Sequence, residues 1–159
     1  NDKRLLHYGA DIGVSWKNFS VNVLLQGVAH PDLRLTGNGE WEFQNDGTGQ
    51  ARKHQLGRWT PATAATATYP RLSVGTNVNN DVASTYWVHS GAYMRLKNAE
   101  VSYTFRKVGI WKINLQHCRI FVNGLNLLTF SKFKQSDPET LPGTYPIQRI
   151  VNGGLSIKF

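Results

Sequence analysis

Residues 8 to 16 alternate without a single error. Tyr8, Ala10, Ile12, Val14 and Trp16 occupy one face, and Gly9, Asp11, Gly13 and Ser15 the other. Successive side chains of a strand point to opposite faces, so the run specifies a β-strand with one apolar and one polar surface. Lys17-Asn18 follows, a break of two-residue hairpin length. Phe19, Val21, Val23 and Leu25 then alternate with Ser20, Asn22, Leu24 and Gln26.

Alternation returns from Tyr86. Met94 and Leu96 share a face, then Ala99, Val101, Tyr103 and Phe105 share one, and the change of phase predicts a β-bulge near Asn98. Cys118, Ile120, Val122 and Gly124 alternate with Arg119, Phe121 and Asn123. Val151, Gly153, Leu155, Ile157 and Phe159 close the chain opposite Asn152, Gly154, Ser156 and Lys158. The expectation is an all-β chain of about five long antiparallel strands, over 7–16, 19–28, 92–105, 113–128 and 147–159.

Alternation suits a soluble sandwich as well as a membrane barrel. The connections favour the barrel. Two are short, at 17–18 and at about 106–112. Two are long, at about 29–85, rich in Gly, Asn, Asp, Thr and Pro, and at 131–145. Antiparallel parity puts the short pair at one end and the long pair at the other, as in barrels with short periplasmic turns and long extracellular loops. The apolar faces also carry aromatics near their ends, at Tyr8, Trp16, Phe19, Tyr103, Phe105 and Phe159. Such amphipathic rings favour a membrane–water boundary. Five strands cannot close a roomy barrel, because even small barrels use about eight. The chain, which opens at Asn1 with no start Met, is therefore read as a piece of a longer protein.

Composition removes other classes. The 159 residues carry 18 Lys+Arg against 10 Asp+Glu, a net charge of +8. The basic residues are scattered, and the nearest approach to a cluster is Arg52-Lys53-His54. Nucleic-acid binding needs a stripe, so no such partner is expected. No run of about 18 apolar residues offers a transmembrane helix, a statement that leaves barrel strands untouched. Cys118, the single cysteine, reads as a small packed hydrophobe.

Four stretches resemble the C-terminal part of the SusC/RagA family of TonB-dependent outer-membrane transporters of Bacteroidetes. They are GRWTP with YPRL within 57–72, YWVH with YMRLKNAEVSYTF within 86–105, RIFVNGLNLLTFSKFKQSDP over 119–138, and the terminal GLSIKF. The resemblance implies that residues 1–159 are the last strands of a transmembrane barrel of about 22 strands. The plug domain and TonB box would lie outside this chain. Implied partners are the rest of the same barrel and its plug, a SusD-like surface lipoprotein, the TonB complex, the barrel-assembly machinery and outer-membrane lipid. The implied cargo is an oligosaccharide or a peptide.

No catalytic constellation, cofactor motif or metal-ligand spacing is visible, so neither an enzyme nor a cofactor is expected. Asn45-Asp46-Gly47 and Asn79-Asn80-Asp81 offer oxygen donors, but neither makes a full EF-hand loop. Asp11, Asn22, Gln26, Glu100, Arg119 and Asn123 are the residues expected to face the lumen, in contact with plug or substrate. Their plainer reading is a solvated or plug-packed wall. The loop aromatics Trp41, Trp59, Tyr69 and Trp87 suit stacking on a ligand, contact with a lipoprotein lid, or packing within the loops. By resemblance, Phe159 is the signal read by barrel assembly. Two other readings stay open: a secreted β-rich carbohydrate-binding module using Trp41, Trp59 and Trp87, and a structural or adhesive surface barrel.

Overall fold

Backbone hydrogen bonding follows the alternation. A computed structural model of the chain describes residues 4–35, 37, 41–43, 49–110, 113–140 and 144–158, with the backbone alone at 107–110 and 113–115. Among the described residues there are seven strands: β1 (Leu6–Trp16), β2 (Phe19–Ala29), β3 (Asp32–Arg34), β4 (Val88–Ser90), β5 (Tyr93–Ile110), β6 (Ile113–Ser131) and β7 (Ile150–Lys158). Five make one antiparallel sheet in the order β1-β2-β5-β6-β7, and β3 pairs with β4 in a separate ribbon. The chain divides into two compact units. The sheet unit takes residues 1–31, 92–132 and 147–159; the loop unit takes 32–91 and 133–146.

Register aligns the apolar faces of all five long strands. Ile12, Val23, Ala99, Gly124 and Val151 form one row, and Val14, Val21, Val101, Val122 and Gly153 the next. Trp16, Phe19, Tyr103, Ile120 and Leu155 form a third. A slip of one residue anywhere would turn a strand's apolar set to the opposite face. Large side chains on this surface stand open: Val14 is 62% exposed, Trp16 68% and Val122 53%. In water each such side chain forgoes about 1.5–3 kcal/mol of burial. A continuous surface of this kind is what hydrocarbon, rather than water, stabilises.

The bulge expected near Asn98 is a register shift between Leu96 and Asn98. Lys97 is the extra residue of β5, and Asn126-Leu127 stand opposite in β6, with Asn126 in the left-handed region at φ 53°. The link expected over 106–112 is much shorter, because β5 runs to Ile110 and pairs there with Ile113. The last strand begins at Ile150 rather than 147. Two glycines leave room for neighbouring rings. A Cβ on Gly27 would lie 2.3 Å from the Tyr8 ring, which crosses it to donate its hydroxyl to the Tyr93 carbonyl at 3.0 Å. A Cβ on Gly154 would lie 2.2 Å from Phe121.

The loop unit corrects the sequence reading most. Residues 29–85 show no period, yet the segment contains β3 and 3-10 turns at Lys53–Gly57 and Pro61–Thr63. Tyr86, where the alternation is expected to return, lies in another 3-10 turn, Thr85–Trp87, and the main sheet resumes only at Tyr93. Leu35, Tyr69, Trp87 and Phe133 are buried together, with Leu33, Trp41 and Leu72 packed against them. Local rules build the scaffold. Pro61 opens its turn at a position where no N–H is needed, and the Thr60 hydroxyl accepts the Thr63 N–H at 3.2 Å. Trp59 N–H then donates to the Tyr69 carbonyl at 2.8 Å.

Candidate functional site

The polar face of the sheet gathers most of the nominated wall residues. Gly13, Asn22, Glu100, Asn123 and Asn152 share a row. The next holds Ser15, Ser20, Ser102, Phe121 and Gly154, followed by Thr104, Arg119 and Ser156. The Arg119 guanidinium donates to the Glu100 carboxylate and to the Ser102 hydroxyl at 3.2 Å. It also lies over the Phe121 ring, 5.3 Å from its centroid. Asn152 Nδ2 donates to Asn123 Oδ1 at 3.2 Å, and the Ser15 and Ser20 hydroxyls are 3.0 Å apart. The ion pair is partly solvated, so its worth is at most about 1 kcal/mol. Its geometric effect is to hold Arg119 flat against the wall.

Asp11 and Gln26 lie on the same face in other rows, Asp11 beside Leu24 and Gln26 beside Arg95. Arg95, which the sequence reading omits, is only 1% exposed, and its Nε donates to Thr129 Oγ1 at 3.1 Å. The signal was available: Met94 and Leu96 on the apolar face put Arg95 on the polar one. Among the described residues the face offers fixed hydrogen-bond donors and acceptors and no nucleophile–base pair. Among the described residues no three His, Cys, Asp or Glu side chains converge as metal ligands would. Phe159 and Asn45-Asp46-Gly47 lie outside the described residues.

The loop unit is organised by a buried carboxylate. Glu42 accepts the Tyr69 hydroxyl at 2.8 Å and the Ser73 N–H at 3.3 Å. Gln55, also buried, donates to the Tyr69 oxygen at 3.3 Å and accepts the Arg52 N–H at 2.7 Å. Burial and the bond to Glu42 push the Tyr69 phenol far above its usual range, so it stays a donor. Trp87 Nε1 donates to the Asn80 carbonyl at 2.8 Å. Its ring meets Tyr86, Tyr69 and Trp41 at 4.8, 5.8 and 6.0 Å.

Three of the four nominated aromatics, Trp41, Tyr69 and Trp87, therefore belong to the loop core, while Trp59 is 40% exposed. Asn79-Asn80-Asp81 serves as turn hardware. The Asp81 carboxylate accepts the Asn77 N–H at 2.7 Å, and Asn80 Nδ2 donates to the Arg71 carbonyl at 2.9 Å. Glu42 and Gln55 went unnominated, since nothing in a Gly-rich, period-free stretch distinguishes a buried polar residue from a solvated one.

No family model matches the chain. Curated relatives do. TonB-dependent receptor P3 of Formosa agariphila is 28% identical over 169 residues, covering 95% of this chain and 16% of the receptor. TonB-dependent receptor P26 of the same organism is 24% identical over 172 residues, covering 97% of this chain and 17% of the receptor. The chain thus spans about one sixth of the length of the relatives it matches. Among solved structures, the RagAB peptide importer in its closed-closed state superposes with a TM-score of 0.70 at 24% identity, over 96% of this chain and 17% of that one. Its open-open state gives 0.65 at 20% identity, over the same shares. The five-stranded sheet with its long excursions is therefore a fold this chain shares with part of such a protein, and the sequence likeness to TonB-dependent receptors runs along nearly the whole chain.

Proposed function

We propose that residues 1–159 form part of the wall and outer loops of a TonB-dependent nutrient importer in the outer membrane of a Gram-negative bacterium of the Bacteroidetes. The observation that carries this reading is the register of the five strands. It gathers one exposed apolar surface on one side and a hydrogen-bonded polar surface on the other. Lipid suits the first, and a lumen holding plug or cargo suits the second. The sheet's edges, β1 and β7, need partners, because open edges are not stable in hydrocarbon. The remainder of the same barrel supplies them. The excursions 30–92 and 132–149 are the extracellular side, and the plug and TonB box come from the rest of the protein.

In this reading the importer works with a SusD-like surface lipoprotein and takes up oligosaccharides or peptides. The likeness to TonB-dependent receptors and to the fold of a peptide importer supports it. Asp11, Asn22, Gln26, Glu100, Arg119 and Asn123 line the lumen. They orient plug or cargo by hydrogen bonding, and no chemical step is assigned to them.

The test uses the full-length protein in its own host. The expected result is a heat-modifiable band in outer-membrane fractions. Uptake of labelled oligosaccharide or peptide should also vanish when either this gene or the energy-coupling TonB protein is removed. A protein recovered in the soluble fraction, or uptake indifferent to both deletions, would overturn the proposal.

A further inference from the structure

The loop unit contains two hollows that share two residues. One, of about 200 Å³, is lined by Tyr69, Tyr86, Trp87 and His89 together with His54 and Gln135. The other, of about 710 Å³, is more open and is lined by Arg52, Lys53 and Lys134, again with His54 and Gln135. An aromatic recess thus adjoins a cleft carrying three cationic side chains. The cations come from segments some eighty residues apart in sequence, so their meeting is a product of the fold.

Two further observations bear on what such a pair would hold. Gln135 Oε1 is buried with no hydrogen-bond partner among the described residues, and a buried polar atom left so is destabilising. A ligand with hydroxyl or amide donors beside its charge would satisfy it. The surroundings are also electropositive. His54 is held below its ordinary range, first by burial and then by the neighbouring Arg52 and His89. It is therefore a neutral wall residue between the cations and the rings, not a further cation. The buried acid of the unit, Glu42, is engaged by Tyr69 and Ser73 and does not line this cleft.

We propose that this paired hollow is a subsite for an anionic oligomer. Arg52, Lys53 and Lys134 take a carboxylate, the aromatic recess takes the adjoining ring or apolar group, and Gln135 takes a hydroxyl or amide donor. The shared chemistry is a carboxylate one residue away from a stacking surface, as in a uronic-acid oligosaccharide or an acidic peptide. Cations on a cleft wall attract such cargo and set orientation, while the recess supplies contact area. The inference rests on the importer reading, since it names the class of cargo.

The test is binding to the full-length protein in detergent, together with any lipoprotein that copurifies. The probes are tri-galacturonate and tri-glutamate, with maltotriose and tri-alanine as neutral controls. At low salt at least one anionic probe should bind about tenfold or more tighter than its neutral control, and the difference should shrink as salt rises. The double variant Lys53→Gln/Lys134→Gln should weaken that binding by about tenfold or more. It should keep the heat-modifiable migration of the parent. Preference for one anionic probe assigns the source, sugar or peptide.

Equal binding of charged and neutral probes, no binding of either anionic probe, or a double variant that binds as well as the parent would each overturn the subsite. A protein absent from outer-membrane fractions would instead overturn the importer reading, so the two failures are distinguishable. If the lysine variant fails to accumulate, Gln135→Ala, which leaves the charges in place, carries the same expectation of weaker binding.

Discussion

The two units of this chain place the same kinds of residue in opposite positions. In the sheet unit Val14, Val122 and Trp16 stand more than half exposed, and the polar residues Glu100, Arg119, Asn123 and Asn152 hydrogen-bond one another on the other face. In the loop unit Leu35, Tyr69, Trp87 and Phe133 are buried, while valines such as Val74 and Val78 are scattered singly over its surface. The sheet is held by a ladder of backbone hydrogen bonds, whose register is dictated by which face must be apolar. The loop unit is held by a small aromatic core and by the buried Glu42 carboxylate. The difference teaches that exposure has two meanings within one polypeptide. On the sheet, in the proposed importer, it marks contact with an apolar medium, and on the loops it marks ordinary tolerance of water.

The largest effect that would break this comparison is expected from Trp87→Ala. It removes the centre of the loop core and the hydrogen bond to Asn80, at a cost of about 3–5 kcal/mol. In intact cells making the full-length protein, protease cleavage within 32–91 should rise sharply while the heat-modifiable barrel persists. Loss of the barrel as well would mean that the two units fold as one, and the contrast would fail.

A smaller effect, and a sharper test of the two media, comes from placing the same charge at two exposed valines. Val122→Arg, mid-way along the apolar face, should cost about 2–4 kcal/mol in a bilayer. Val74→Arg should stay within about 0.5 kcal/mol. Urea unfolding of the full-length protein in liposomes reads both. Equal effects would show that the sheet's apolar face meets water or protein instead of lipid.

The smallest is Tyr69→Phe. It strips one donor from buried Glu42 and is expected to cost about 1–3 kcal/mol, seen as a lower urea concentration for protease susceptibility of the loops. A change indistinguishable from that of Val74→Arg would remove the carboxylate from its organising role.

Legibility in the sequence differed between the units for a physical reason. Strand side chains repeat every two residues, so Tyr8 through Trp16 declare a strand and its faces at once. The change of phase between Leu96 and Ala99 likewise marks the bulge that the structure puts at Lys97. The same logic puts Asn22, Glu100, Arg119 and Asn123 on one face, and Arg95 with them. Loop packing has no period. Trp41, Tyr69 and Trp87 could be seen as aromatics needing a partner, but nothing local says that their partners are one another and Phe133.

The sequence by itself therefore determined an all-β chain, the apolar and polar faces of each long strand, the short and long connections, and a likeness to one transporter family. Each of these is written in local spacing or local motif. Only the tertiary structure decided that five faces align into continuous rows and that Arg119 spans Glu100 and Ser102. It alone folded a period-free stretch around Glu42 and Trp87, and it alone brought Lys53 and Lys134 to one cleft. Those are meetings of residues distant in sequence. They are set by strand register and side-chain packing, which no single window of sequence contains.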